Sequence, residues 1–223
     1  MQQPQSGVSV PQIRLPKGGG AIRNMGETFQ PSSFTGTASF TLPVELPAAR
    51  DLSLDLALSY SSGGSQGLFG LGFSLSVPHI VRRTEKRLPD YSDADEFVLS
   101  NAEYLVPTLI EQGDQWVTQD FDGDNGTYRI RRYRTRTEGS FLRVERWTRR
   151  ADGDVHWRVT TAENVTSIYG ESSTARIAHP DNPRQIFQWL IERTEDSRGN
   201  QIRYTYRAED GVDIANTVYE QGR

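Results

Sequence analysis

Apolar and polar positions alternate with a period of two through most of the chain after Thr37. In DLSLDLALSY, Leu52, Leu54, Leu56 and Leu58 fall on one face and Ser53, Asp55, Ala57 and Ser59 on the other, the mark of a half-buried strand. Leucine is not a favoured strand residue, but here the period decides. The run before it, TASFTLPVEL, alternates as well, and PAAR between the two reads as a turn, so the pair is expected to form a hairpin. DEFVLSNAEYLVPTL predicts two strands about a tight turn at 101–103. The arginine-rich stretch that begins YRIRRYR predicts further strands, divided by TEGS, ADGD and AEN. RQIFQWLIERTEDSRGNQIRYTY predicts an antiparallel pair turning over DSRGN, with Ile202, Tyr204 and Tyr206 on one face. Strand-like runs recur about every 8 to 15 residues with turn residues between them. No long window carries a helical stripe, and the best helical stretch, 172–178, would make one or two turns. The chain is expected to be all-β, built of antiparallel meander sheets.

Glycine and proline refine this picture at both ends. Residues 1–36 are rich in Gly, Pro, Ser and Gln and read as an extended lead-in, flexible at least to Gln12, ahead of a β domain over 37–223. The segment QGLFGLGFSLSVPHIVRR poses a sharper question, because it places bulky apolar residues among glycines. A phosphate-cradling loop would lead into a helix and supply a lysine and a hydroxyl; this segment runs into a proline instead. It reads as a strand entered through Gly70 and Gly72, with Phe73, Leu75 and Val77 on one face. Glycines alternating with Leu71 and Phe73 leave a bare face, which is useful only where another strand or loop, such as residues 17–40, approaches closely. Near the other end, Gly199 suits the turn because positive φ costs it little.

Bulk properties exclude several classes. The length, 223 residues, allows one large or two small domains, and a net charge of −4 provides no global attraction for nucleic acid or an anionic membrane. Without cysteine there are no disulfides or thiolate metal sites. The opening MQQPQSGVSVPQ lacks the apolar core of a secretory signal. No run approaches the ~18 apolar residues of a membrane helix.

Candidate chemistry is sparse. His79, His156 and His179 lie far apart, with no HxH or HxxxH spacing. Asp120, Asp122 and Asp124 alternate as in a calcium loop, but Asn125 stands where a glycine belongs, and no glutamate closes the loop before Glu138; a solvated hairpin turn is expected. Asp93, Asp95 and Glu96 read as members of a polar loop with nothing to shift their pKa values. No GxSxG elbow occurs. Nine arginines between 129 and 150, interleaved with Tyr133, Phe141 and Trp147, resemble a grip for single-stranded nucleic acid. Interruption by Glu138 and Glu145, and acidic loops on either side, favour cross-strand Arg–Glu and Arg–aromatic pairs without such a ligand. Hence no catalytic, cofactor-binding or metal-binding residue is assigned.

An ordered set of segments carries a family resemblance: LPKGGGAIRNMGETF, TGTASFTLPVEL, LALSYSSGG, GLFGLGFSLSVPHIVRRTEKRLPDY, DEFVLSNAEYLVP and FQWLIERTEDSRGNQIRYTY. From about Pro11 to Tyr206 the chain resembles the N-terminal domain of the virulence-plasmid B (SpvB) family, the domain that opens the B component of insecticidal Tc toxin complexes. RGNQIRYTY resembles one unit of the Rhs/YD repeat, with Gly199, Asn200, Tyr204 and Tyr206 at its motif positions. Together with Gly70, Gly72 and Phe73 these are the structural-motif residues the sequence singles out.

The resemblance implies an architectural role. In Tc toxins the B component and the Rhs-containing part of the C component form a hollow β-shell around a cytotoxic effector, and a propeller later in B docks onto the pore-forming A component. The chain ends after NTVYEQGR, before any propeller, and is expected to be a fragment of a longer chain. Its implied partners are the rest of the B chain, the C component and, through later domains, the A component. Secretion would proceed without a classical signal peptide, after assembly in the bacterial cytoplasm. A shell wall one sheet thick suits side chains with apolar bodies and polar tips; the chain has four Trp, nine Tyr and 23 Arg against two Lys. A part of a Rhs-like shell and an incomplete β-sandwich both fit these features, the sandwich implying a binding module for glycan or nucleic acid. One branch of the family carries a C-terminal ADP-ribosyltransferase, whose chemistry needs a Glu-x-Glu pair; no two glutamates here are so spaced, and no enzymatic activity is expected.

Overall fold

The computed structural model describes residues 28–31, 36–46, 52–67, 69–100, 103–137 and 139–207. Its first part is a small antiparallel sheet. Strands β1 (Thr28–Pro31), β2 (Ala38–Val44), β3 (Leu56–Ser61) and β6 (Phe73–Leu75) lie in that order, and β4 (Gln66–Gly67) and β5 (Gly70–Leu71) form a two-stranded ribbon ahead of β6. The β2–β3 pairing runs from Ser39↔Ser61 to Val44↔Leu56, the hairpin expected from alternation. PAAR lies outside the described residues. β1, inside the stretch read as a lead-in, pairs with β2.

Two sequence expectations need correction in this sheet. The eight-residue alternation from Leu52 does not make one strand. Leu52 is a single buried bridge residue, and Leu56 N donates to Leu54 O across a local turn, so β3 begins only at Leu56. Val77 leaves the face of Phe73 and Leu75, its N–H bonded to Leu75 O and its side chain packed against the core of the second part.

That second part is a larger antiparallel sheet. It contains β7 (His79–Arg82), β8 (Phe97–Leu99), β9 (Glu103–Pro107), β12 (Asp120–Gly123), β13 (Tyr128–Thr135), β14 (Arg143–Arg149), β15 (Val155–Thr160), β16 (Thr166–Tyr169), β17 (Arg176–His179), β18 (Asn182–Glu195) and β19 (Gln201–Arg203). The hairpin of β10 (Leu109–Gln112) and β11 (Gln115–Thr118) branches off between β9 and β12. The order β13-β14-β15-β16-β18-β7-β8-β9 returns to its start because β9 pairs with β13, through Tyr133↔Pro107, Arg134↔Val106 and Thr135↔Leu105. Eight strands therefore close into a barrel, which removes the free edges an open sheet would present. The expected short helical turn at 172–178 is a 3-10 turn, Ser173–Ala175.

β18 is the spine of the barrel. Along one edge it takes β16 and then β17; along the other, β7 and β19. Its fourteen residues carry the run IFQWLI, whose Ile186, Trp189 and Ile191 are buried. Bulges opposite Ile177 to His179 and at Ile168/Tyr169 bend it as closure requires. Directly opposed residues share a face, so the chain of pairs Leu99↔Ile80↔Trp189 and Thr135↔Leu105↔Phe97 defines the interior. Phe97 and Trp189 meet Trp157 edge-on, at ring-centre distances of 4.9 and 6.0 Å, and Tyr133 lies 5.0 Å from Trp157. Trp189 Nε1 donates to Val155 O at 2.9 Å, so this indole is buried without losing its hydrogen bond. The barrel is thus a filled core, not a channel.

Candidate functional site

The period-two rule that buries Ile80, Tyr133 and Val144 also turns Arg82, Arg131 and Arg146 inward, two residues along the same strands. These three guanidinium groups lie toward one end of the barrel. Burying them requires acids, and the loop 83–96 between β7 and β8 supplies two of them. Arg82 donates to Asp95 at 2.6 Å, with both side chains about 5% exposed or less, and its Nε donates to Ile186 O at 2.8 Å. Its guanidinium also lies 5.2 Å from the Phe97 ring centre and 5.4 Å from that of Trp189. Asp93 receives Arg146 at 2.9 Å, Arg131 at 3.3 Å and Arg129 at 3.4 Å. Arg131 in turn forks onto Asp120, at 2.8 and 2.9 Å.

The reading of Asp93 and Asp95 as loop acids without burial is therefore overturned. Asp95 is buried, and Asp93 is held below the usual carboxylate range: burial pushes it up, but Arg146 and Arg131 pull it further down. Their signal in the sequence was indirect. An arginine two positions after a core isoleucine, as in HIVR, demands a buried counter-ion, and the nearest free acids are in the following loop.

Beside this cluster lies a cleft of about 330 Å³, lined by Arg83, Glu96, Tyr104, Pro107, Arg131 and Arg136 among others. Arg83 stacks 4.3 Å over Tyr104 and pairs with Glu96 at 2.5 Å and Glu85 at 2.9 Å. Such an arrangement holds a loop against a barrel.

The residues singled out from sequence fall in two other places and form no common site. Gly70 and Gly72 have φ of +102° and +82°. A Cβ on Gly72 would stand 2.5 Å from Ser61 O and 2.8 Å from the Tyr60 ring, so the close approach at Gly72 is against β3. Residues 17–27 and 32–35 of the partner segment suggested for it lie outside the described residues. At Gly70 a Cβ would meet nothing within 4 Å: close approach is not its role, and its backbone angle alone calls for glycine. Phe73 packs on Tyr60 at 4.9 Å. At the far end of the chain, Gly199 (φ +84°) and Asn200 close the turn after β18, Asn200 donating to both oxygens of Asp196, at 2.9 and 2.7 Å. Regular β19 stops at Arg203, but Tyr204 N donates to Glu192 O, and Tyr206 Oη donates to Ile191 O at 2.7 Å. Burial pushes the Tyr206 phenol up to about 12.

Asp120, Asp122 and Asp124 do not converge. Asp120 serves Arg131, Asp122 pairs with Arg150, and Asp124 is a turn residue with φ of +49°. Among the described residues no group of three or more histidine or carboxylate side chains is placed to hold a metal ion. The arginine-rich strands form internal pairs, Arg132 with Glu145 at 3.4 Å and Arg158 over Trp147 at 3.7 Å.

Comparison with known proteins places this architecture. The family model of the Salmonella virulence plasmid 65 kDa B protein matches residues 32–223. The mono(ADP-ribosyl)transferase SpvB of Salmonella typhimurium is 38% identical over 214 residues, covering 94% of this chain but 35% of the relative; that of Salmonella enteritidis is 37% identical over the same span. This chain thus spans about a third of the length of the curated relatives it matches. The solved N-terminal domain of effector protein SpvB from Salmonella typhimurium strain LT2 superposes with a TM-score of 0.71 at 36% identity, over 82% of this chain and 58% of that one. A chain of the TcdB2-TccC3 crystal structure gives 0.75 at 35% identity, over 94% of this chain and 10% of that one. One from the Photorhabdus luminescens Tc holotoxin pore gives 0.74 at 35%, over 93% and 10%.

Proposed function

This chain belongs to the family of the Salmonella virulence plasmid 65 kDa B protein, and from that membership we propose that it is a non-catalytic structural module of a secreted toxin complex, contributing to a β-shell that encloses a cytotoxic effector. The observation that carries the reading is the match of 94% of the chain, at a TM-score of 0.75, to part of a TcdB2-TccC3 chain. The transferase named for the SpvB relatives does not come with it, because the match covers about a third of those proteins and this chain has no Glu-x-Glu pair. Its partners are then the rest of a B-type chain and a C-type component, with contact to a pore-forming component through later domains. Nucleic acid is not among them: Arg132, Arg146 and Arg131, at the centre of the arginine-rich stretch, are held by Glu145, Asp93 and Asp120.

A filled barrel suits a wall element, because its shape is fixed by its own core and its surface is free to meet neighbours. Incubating the purified chain with labelled NAD+ and a cell lysate is expected to leave every protein unlabelled. NAD-dependent labelling of actin by the chain alone would overturn the non-catalytic reading.

A further inference from the structure

The outer face of β14 and β15 carries a buried histidine that no role described so far uses. His156 is 3% exposed. Its ring stacks on Trp147 at 5.8 Å and 28° and meets Tyr128 edge-on at 5.5 Å. Arg158 lies with its guanidinium 3.7 Å over the same Trp147 ring, and its Nε donates to His156 Nε2 at 3.3 Å. An imidazole nitrogen that accepts from a guanidinium carries no proton, so this packing is built for the neutral ring.

The charges around it leave no room for a further cation. Arg158 on β15, Arg149 on β14 and Arg176 on β17 face the ring, Tyr128 approaches from β13, and the facing carboxylate is Asp154. Asp154 is already taken by Arg176, at 2.5 and 2.9 Å, and by Arg149 at 3.2 Å.

We infer that His156 is an acid-sensitive latch: neutral, it locks the Arg158–Trp147 stack on the outer wall of the barrel, and a proton on Nε2 expels Arg158 and opens the β14–β15 face. Burial, with Arg158 next in weight, holds the imidazole down at about 3, against an ordinary value of 6.5. A depressed histidine stabilises the closed state fully above the ordinary value and loses that stabilisation as pH falls from 6.5 toward 3. Opening therefore takes up one proton, and its equilibrium constant should rise about tenfold for each pH unit below 6.5.

Hydrogen exchange on the intact chain, corrected for the intrinsic chemical rate, tests this. Amides of β14 and β15 should show that tenfold dependence between pH 6 and 4.5, and His156→Phe should flatten it. In Arg158→Gln the dependence should stop at a higher pH, because the imidazolium is better tolerated. Should His156→Phe fail to fold, the wild-type protein still decides. With three histidines in the sequence, the His156 proton resonances should stay unshifted down to pH 5 while β14–β15 exchange rises. Titration of His156 near 6.5 without any opening, or the same pH dependence in His156→Phe, would overturn the latch.

Discussion

Gly72 and Asp95 show how much a single position decides here. At Gly72 the backbone has φ of +82°, and any Cβ meets Ser61 O. Gly72→Val should cost about 1–3 kcal/mol from overpacking, with backbone strain added. Gly113→Ala is the control: it shares the positive φ, at +64°, but has open space around it, so it should cost about 1 kcal/mol or less. Urea melts of the two variants give the comparison, and equal losses would refute the close approach. Asp95 neutralises a buried guanidinium, so Asp95→Ala should cost about 3–5 kcal/mol by leaving Arg82 uncompensated. Replacing both partners, as Arg82→Met with Asp95→Leu, should cost less than the single change. A double variant less stable than Asp95→Ala would mean that the pair contributes more than mutual neutralisation. Acid should act on the same end of the barrel. Asp93, Asp120 and Asp154 are each depressed below 3.8, opposed by burial but held by arginines. Their stabilisation is present above about pH 4 and is lost as pH falls through the lowered values.

At the scale of elements, strand type and order were largely legible, because a period of two survives wherever one face is buried. The pairs β8–β9, β13–β14, β14–β15 and β18–β19 lie where alternation and turn residues put them. Leu52 to Asp55 misled because leucine spacing matched a strand while the backbone turned locally at Leu54. Barrel closure was illegible, since the β9–β13 pairing joins residues about 30 apart across the β10–β11 hairpin and leaves no local pattern. The buried Arg–Asp cluster was hidden for the same reason: Asp93 and Asp95 look like any polar loop until strand register turns Arg82 and Arg146 inward. Exposure separates elements that matter for stability from those that do not. Trp189 on β18 is fully buried, whereas Trp116 on β11 is 68% exposed. Trp189→Ala should cost about 3–5 kcal/mol, and Trp116→Ser should stay within about 0.5 kcal/mol. Thermal melts check both, and a large loss at Trp116 would show that the hairpin is folded against the barrel more firmly than its exposure indicates.

For the whole molecule, a self-closed barrel joined to a small sheet is a module whose shape is set by its own core. That property links the fold to the proposed role, because a wall element must present fixed surfaces to the segments around it. The direct measurement is a replacement experiment in the TcdB2 relative, a stretch of which matches 94% of this chain. The matching segment of TcdB2 is exchanged for this chain, the chimera is co-expressed with TccC3, and the purified material is imaged by electron microscopy. A structural module predicts that the chimera and TccC3 purify together as a hollow particle. A chimera that folds, judged by a cooperative melt, but leaves TccC3 unbound or forms no enclosed particle would contradict the account.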